Sequence, residues 1–133
     1  MHTLGLLLTF ALWGCSVKPG ALAEIDKLGG KVTIDKKSPD KAVISVDLKL
    51  SDVTDTGLEN LKEFTKLQSL NLTGTKVSDA GLEHLKGLTQ LQSLYLRETK
   101  VTDVERLKGL SQLQELNLWG TQVNDARLES WKA

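Results

Sequence analysis

The chain has 133 residues, of which 40% are apolar, 26% charged and 5% aromatic, with 17 basic residues against 17 acidic ones. This length and composition fit one small domain. The balanced charge argues against a nucleic-acid partner and against a polybasic membrane contact, since both need a strongly basic surface. One cysteine and two histidines leave no internal disulfide and no cysteine-rich metal centre. We therefore expect no metal, no cofactor and no enzymatic activity.

The N-terminal segment has the features of an export signal. Residues 4–13 are predominantly apolar, too short to span a bilayer at about 20 residues but typical of a signal-peptide core. We therefore expect residues 1–14 to be a signal peptide. The segment LWGC that ends at Cys15 resembles the lipobox of bacterial lipoproteins, in which diacylglycerol is attached to the cysteine. The resemblance implies lipidation of Cys15 and anchoring to a membrane of the cell envelope.

Two alternatives to the lipid anchor remain open. Ala21, Leu22 and Ala23 form an AxA cleavage site, and a cut there would remove Cys15 and release a secreted protein. The apolar N-terminus can also stay uncleaved.

Residues 15–41 are expected to form a tether and an N-terminal cap. Residues 21–28 have helical spacing and end at a pair of glycines, a typical helix C-terminus. Val32 and Ile34 alternate with polar residues, a Ser-Pro-Asp turn follows, and residues 42–50 alternate again. This pattern predicts a hairpin. The helix and hairpin would cover the apolar end of a stack that follows.

From residue 42 onwards, apolar residues recur with a fixed period. Val53, Val77, Val101 and Val123 are separated by 24, 24 and 22 residues. One unit, LQSLNLTGTKVSDAGLEHLKGLTQ, covers residues 67–90. It has period-two leucines on a short strand, then apolar residues three and four apart on one helix face. Neither half buries its apolar face alone, so the units should stack around one leucine core.

The unit LxxLxLxxTxV followed by DxGLxxLxxL resembles the leucine-rich repeat, with threonine where the family usually has asparagine or cysteine. The resemblance implies an α/β solenoid, a short horseshoe arc with a parallel concave sheet, helices on the convex side and the helix and hairpin as its N-terminal cap. About four units would fill residues 42–133. The segments KLGGKVTID and TDTGL also resemble short exported bacterial leucine-rich-repeat proteins and lipoproteins.

Polar and aromatic residues recur at fixed places in the unit. Threonine hydroxyls at the family's asparagine position are expected to bond to the loop backbone, and Ser51 takes that place in the first unit. Aspartates at each helix start are expected to cap that helix. Trp131, in place of a core leucine, is expected to shield the last layer. The recurring residues are Thr75, Thr99 and Thr121, then Asp55, Asp79, Asp103 and Asp125.

If the alternate leucines point inward, the side chains between them form rows across the concave sheet. The first row is Ser45, Ser69, Ser93 and Glu115. The other two rows are the candidate ligand-binding residues: Asp47, Asn71, Tyr95 and Asn117, then Lys49, Thr73, Arg97 and Trp119. Tyr95, Arg97 and Trp119 are of the types enriched at binding hot spots, and Arg97 is expected to stack on Trp119.

These rows predict a non-enzymatic protein-protein interaction module that binds a protein or peptide on its concave sheet. One alternative is a structural spacer or self-assembling element, in which the last strand, near residues 116–119, pairs weakly with another copy. A third interpretation notes that the DxGLxxLxxL helix resembles units in substrate receptors of ubiquitin ligases, although no F-box-like segment accompanies it.

Overall fold

A computed structural model describes residues 19–124 of the chain. The predictions made for the signal segment, Cys15, Asp125 and Trp131 lie outside the described residues.

The described part of the chain is a helix followed by a sheet with one strand per repeat. Helix α1 spans Pro19–Lys27, and the strands are β1 Lys31–Ile34, β2 Val43–Asp47, β3 Ser69–Asn71, β4 Ser93–Tyr95 and β5 Glu115–Asn117. The sheet order follows the chain. β1 pairs antiparallel with β2, and β2 to β5 are parallel. The predicted N-terminal helix and hairpin and the predicted parallel sheet are therefore confirmed.

Short helices connect the parallel strands. They are the 3-10 helices Thr56–Glu63, Glu83–Leu85 and Glu105–Leu107 and a single α-helical turn, α2, at Asp79–Leu82. The third unit, two residues shorter than the others, keeps only its 3-10 turn. The helical half of each repeat is thus mostly 3-10 rather than α, a geometry that short helices commonly adopt.

Leucines from successive repeats form one continuous core. Leu70, Leu72, Leu94 and Leu96 are 0% exposed, and the same cluster extends back to Leu22 in α1. At the other end the equivalent residues are only partly buried, namely Leu113, Leu116, Leu118 and Val123. The core is therefore shared between repeats, as a solenoid requires, and its last layer within residues 19–124 is only partly buried.

The threonine prediction is confirmed. The hydroxyls of Thr75, Thr99 and Thr121 donate to the carbonyl oxygens three residues earlier, at 2.7, 2.7 and 2.6 Å. Ser51, in the first repeat, instead accepts the backbone N–H of Val53 through Oγ at 3.4 Å. The three threonine hydroxyls thus bond to turn carbonyls beside the core, where an acceptor without a hydrogen bond would lower the stability of the fold.

The capping prediction is wrong for Asp55 and Asp79, whose carboxylates bind the next repeat instead of their own helix. Asp55 accepts the backbone N–H of Ser78 at 2.6 Å and its hydroxyl at 2.5 Å. Asp79 accepts the N–H of Thr102 at 2.8 Å, that residue's hydroxyl, and the N–H of Asp103 at 3.1 Å. The following coil presents its N–H groups directly to these carboxylates, so each one links two repeats.

Gly81 makes the first of these links sterically compatible with stacking. A Cβ atom there would lie 2.5 Å from Oδ1 of Asp55 and 2.9 Å from Leu58 Cδ1. Asp103 follows the original prediction more closely, because its Oδ1 accepts the N–H of Glu105 at 2.9 Å, at the start of its own helix.

The link from Asp79 should make folding stability depend on pH. Burial raises the pKa of Asp79, but hydrogen bonds from Thr102 and Asp103 and the charge of Arg106 outweigh it and hold this pKa below its ordinary value. The stabilisation is therefore present above the unfolded-state pKa of about 3.9 and is lost as the pH falls through the lower folded-state pKa.

D79A should lower the free energy of unfolding by about 1–3 kcal/mol at neutral pH, because it leaves N–H groups of the next coil without their hydrogen-bond acceptor. Urea denaturation at neutral and acidic pH measures this, and the difference from the unsubstituted protein should shrink in acid. D52A is the matched control, since that carboxylate is 92% exposed and lies 3.9 Å from Lys76; it should change little. Equal losses in both variants would contradict the link.

Candidate functional site

The outward side chains of the sheet form the rows expected from the repeat. The strand register aligns Ser45, Ser69, Ser93 and Glu115, and likewise Asp47, Asn71, Tyr95 and Asn117. Beyond the strands the ladder continues: the N–H groups of Leu50, Gly74 and Glu98 donate to the carbonyls of Thr73, Arg97 and Trp119, each at 2.8 Å. Lys49, Thr73, Arg97 and Trp119 therefore lie in a third row on the same face.

Two further outward residues extend this face and were missed from the sequence. In β1, Lys31 pairs with Asp47 and Thr33 with Ser45, and both are exposed. The signal was the alternation with Val32, which places every second β1 residue opposite the core.

Three of the predicted ligand-binding residues shape the strand ends. Asp47, Asn71 and Asn117 each accept, at Oδ1, the backbone N–H two residues later, at 3.1, 3.1 and 3.0 Å. Such bonds are Asx turns. Tyr95 takes the same place in the third repeat, and its phenol cannot close this turn. Its side chain is thus the one member of the row released from that structural task.

Tyr95 pairs instead with Glu115 on the neighbouring strand. Its hydroxyl donates to Oε2 of Glu115 at 2.8 Å, and Glu115 itself stands where the three preceding repeats have serine. The hydrogen bond to Glu115, with slight burial and the carboxylate charge, raises the pKa of Tyr95. The pair holds the phenol ring against β5.

Arg97 and Trp119 form a second pair on the same two repeats. The guanidinium carbon lies 4.3 Å from the centroid of the indole ring, so the predicted stacking is present. Nε of Arg97 also donates to Oε1 of Glu98 at 3.3 Å. Trp119 remains 64% exposed. The arrangement presents a large aromatic ring to solvent with one face against a cation.

Side chains that depart from the repeat pattern are therefore concentrated on β4 and β5. Tyr95 replaces an Asx residue and Glu115 replaces a serine, while Arg97 and Trp119 enlarge the third row. The N-terminal part of the face has short polar side chains and two lysines, Lys31 and Lys49. The sheet is thus polarised along the solenoid, with its aromatic side chains at one end.

A fourth row was also missed from the sequence. It follows the third and consists of Leu50, Gly74, Glu98 and Gly120, all with left-handed backbone at φ of 60°, 68°, 56° and 75°. Leu50 is 76% exposed. The available signal was that two of the four equivalent positions are glycine, the residue that adopts this conformation most readily.

Among residues 19–124, no three His, Cys, Asp or Glu side chains come together as a metal-binding group. No helix in the same part of the chain has the length and apolar character needed to cross a bilayer.

E115Q should lower the pKa of Tyr95, because it removes the charged acceptor that favours the protonated phenol. The chain has one tyrosine, so ultraviolet titration of the phenolate reports this residue directly. E98Q is the control: it removes a neighbouring carboxylate that binds Arg97, and the tyrosine titration should stay in place. An unchanged midpoint in E115Q would show that the phenol does not bond to Glu115.

One strand per coil, a shared leucine core and hydroxyl-closed turns define a solenoid of short repeats. The family model for the leucine rich repeat matches residues 65–123. This match and the fold together identify residues 65–123 as leucine-rich repeats.

Two solved structures illustrate the likeness. An internalin, inlF, from Listeria monocytogenes is 25% identical with a TM-score of 0.56, over 79% of this chain and 30% of that one. The structure of PEPR1-AtPEP1 is 25% identical with a TM-score of 0.50, over 68% of this chain and 12% of that one. The chain thus spans a minor part of both. No curated protein sequence matches it.

Proposed function

We propose that the chain is a non-enzymatic protein-protein interaction module that binds a protein or peptide on its concave sheet. The observation that carries the proposal is the cluster of Tyr95, Arg97, Glu115 and Trp119, which breaks the repeat pattern on two adjacent strands. Tyr, Trp and Arg are the residue types that most often dominate binding energy. The likeness to a structure of PEPR1 with AtPEP1 is consistent with a protein or peptide ligand.

The size of the sheet limits the kind of contact. Strands about 4.8 Å apart and outward residues about 6.6 Å apart give a face roughly 20 Å across, or about 400 Å². A standard protein interface takes about 800 Å² on each partner. A single copy therefore suits a short segment or a weak contact, and display of many copies on a membrane would raise the avidity.

Substituting Arg97 and Trp119 by alanine together should abolish specific binding. The test immobilises the chain, exposes it to an envelope extract and identifies retained proteins by mass spectrometry. We expect R97A/W119A to retain them at least about tenfold less, since hot-spot side chains each contribute more than about 1 kcal/mol.

K86A/K108A is the matched control, because both lysines pair with glutamates beside the connecting helices, at 2.8 Å each, away from the sheet. It should retain the same proteins as the unsubstituted chain. Unchanged retention in R97A/W119A, with circular dichroism showing an intact fold, would remove this face as the binding site.

We further propose that the protein is exported and anchored through a lipid on Cys15. The burial of α1 argues against the alternative signal-peptide cleavage after Ala23. Ala21 and Leu22 lie in α1, are 5% and 3% exposed and belong to the core. A cut after Ala23 would remove both from the folded domain, which favours processing upstream of α1.

Mass spectrometry of the mature N-terminus tests the anchor. We expect an N-terminal Cys15 carrying diacylglycerol, and C15A should abolish that modification. A chain that starts at Glu24 would show secretion, and an intact Met1 would show that no signal is removed; either result contradicts the anchor.

Self-assembly is a second candidate function, favoured by the C-terminal end of the core. Leu113, Leu116, Leu118 and Val123 are only partly buried, and among residues 19–124 β5 has a paired neighbour on one side only. Such an edge can pair with another copy. Light scattering across a concentration series should then show a rising mass, whereas a strict monomer would rule this function out.

A further inference from the structure

Two large apolar side chains are exposed in the described part of the chain, and each follows the C-terminal end of a strand in the parallel sheet. Leu50 is 76% exposed and Trp119 is 64% exposed. Leu50 follows β2, the first of the parallel strands, and Trp119 follows β5, the last. They flank the full width of the parallel sheet.

The fold itself gains little from a leucine at position 50. Its φ of 60° is left-handed, a conformation that costs a residue with a side chain about 1–2 kcal/mol. Glycine stands at the equivalent position of the second and fourth repeats. A side chain that is mostly in water offsets little of that cost by burial. A strained and exposed leucine of this kind indicates a role outside folding.

Space for the Leu50 side chain is left open by the next repeat. A Cβ atom on Gly74 would lie 2.6 Å from Cδ2 of Leu50. The leucine therefore lies over bare backbone, beside the third row of the face, where a ligand crossing the strands would contact it.

The separation of the two apolar side chains selects an extended ligand of defined spacing. β2 and β5 are three strand steps apart, about 14 Å at about 4.8 Å per step. The 2.8 Å ladder bonds from Leu50, Gly74 and Glu98 keep the repeats in register at these strand ends. In an extended peptide, residues i and i+4 project to the same side about 13 Å apart.

Two cations lie along the third row, Lys49 next to Leu50 and Arg97 one strand before Trp119, and Arg97 contacts the carboxylate of Glu98. Lys49 and Arg97 are exposed in the third row, and Thr73 between them is half-buried. Arg97 has further N–H donors beyond the Nε that contacts Glu98. The residue at i+2 of the same peptide projects midway, so a carboxylate there would face both cations.

We propose that the concave face binds an extended peptide segment with two apolar side chains four residues apart and an acidic side chain midway between them. One apolar side chain contacts Leu50 and the other contacts Trp119. This inference rests on the proposed binding function and names the class of sequence that the face recognises.

The test selects peptides from a random display library against the immobilised full-length chain and measures their affinity by fluorescence polarisation. We expect enriched peptides to share the apolar, acidic, apolar pattern at i, i+2 and i+4. L50G should weaken their binding at least about tenfold, and replacing the facing apolar residue of the peptide by alanine should then have no further effect. W119A should do the same at the other end, and K49Q should reduce the acidic preference.

L50G removes the side chain without destabilising the fold, because glycine adopts the left-handed backbone readily. Its thermal stability should therefore stay the same or rise. E98G is its control: it relaxes the equivalent backbone at φ of 56° and should leave the apolar preference intact.

Enriched peptides without the four-residue spacing, or L50G binding as tightly as the unsubstituted chain, would overturn this inference and leave the binding function standing. No enrichment over the bare support would count against both. Binding to phosphatidylglycerol vesicles that L50G and W119A weaken, with no peptide enriched, would assign the two side chains to a lipid surface and overturn the peptide.

Discussion

Burial of leucines between neighbouring coils is the interaction on which the rest of the structure depends. A single coil has one short strand and one helical turn, and neither covers its own apolar side. Stacking therefore brings Leu70 against Leu94 and aligns the strands in parallel register. Because side chains alternate along a strand, the same alignment forces the polar residues between the leucines into rows. The candidate binding face is thus a by-product of how the core is closed.

That dependence explains which features were predictable from the sequence. Once Leu70 and Leu72 point inward, the row that holds Arg97 and Trp119 follows by counting, and so does their stacking. The partners of Asp55 and Asp79 did not follow, since adjacency in sequence suggests their own helices, whereas the nearest N–H groups belong to the next coil. The left-handed backbone at Leu50 could not be predicted from the sequence either. A periodic pattern specifies which way a side chain points, but it does not specify the dihedral angles of the turn that follows.

On the concave face, residues that follow the repeat pattern and residues that depart from it make different contacts. Asp47, Asn71 and Asn117 close the turns after their strands, so their side chains are part of the scaffold although they lie in the candidate site. Tyr95 is free of that bond and forms a pair with Glu115 instead. This row therefore contains three residues that close turns and, at Tyr95, a side chain that belongs to the proposed binding cluster.

The aspartate bridges give the solenoid a direction. Each carboxylate reaches from one coil into the loop of the following coil, and the leucines lose cover toward β5. The leucines of the middle coils are fully buried, whereas Leu116 and Leu118 in the last described layer are only partly buried. Opening should start at the C-terminal end and travel inward coil by coil, so amide protons of β5 should exchange with solvent sooner than those of β3. Trp119 lies at that end and Leu50 at the opposite one. Local unfolding at the C-terminal end would therefore move Trp119 away from Leu50 and disrupt the proposed peptide site.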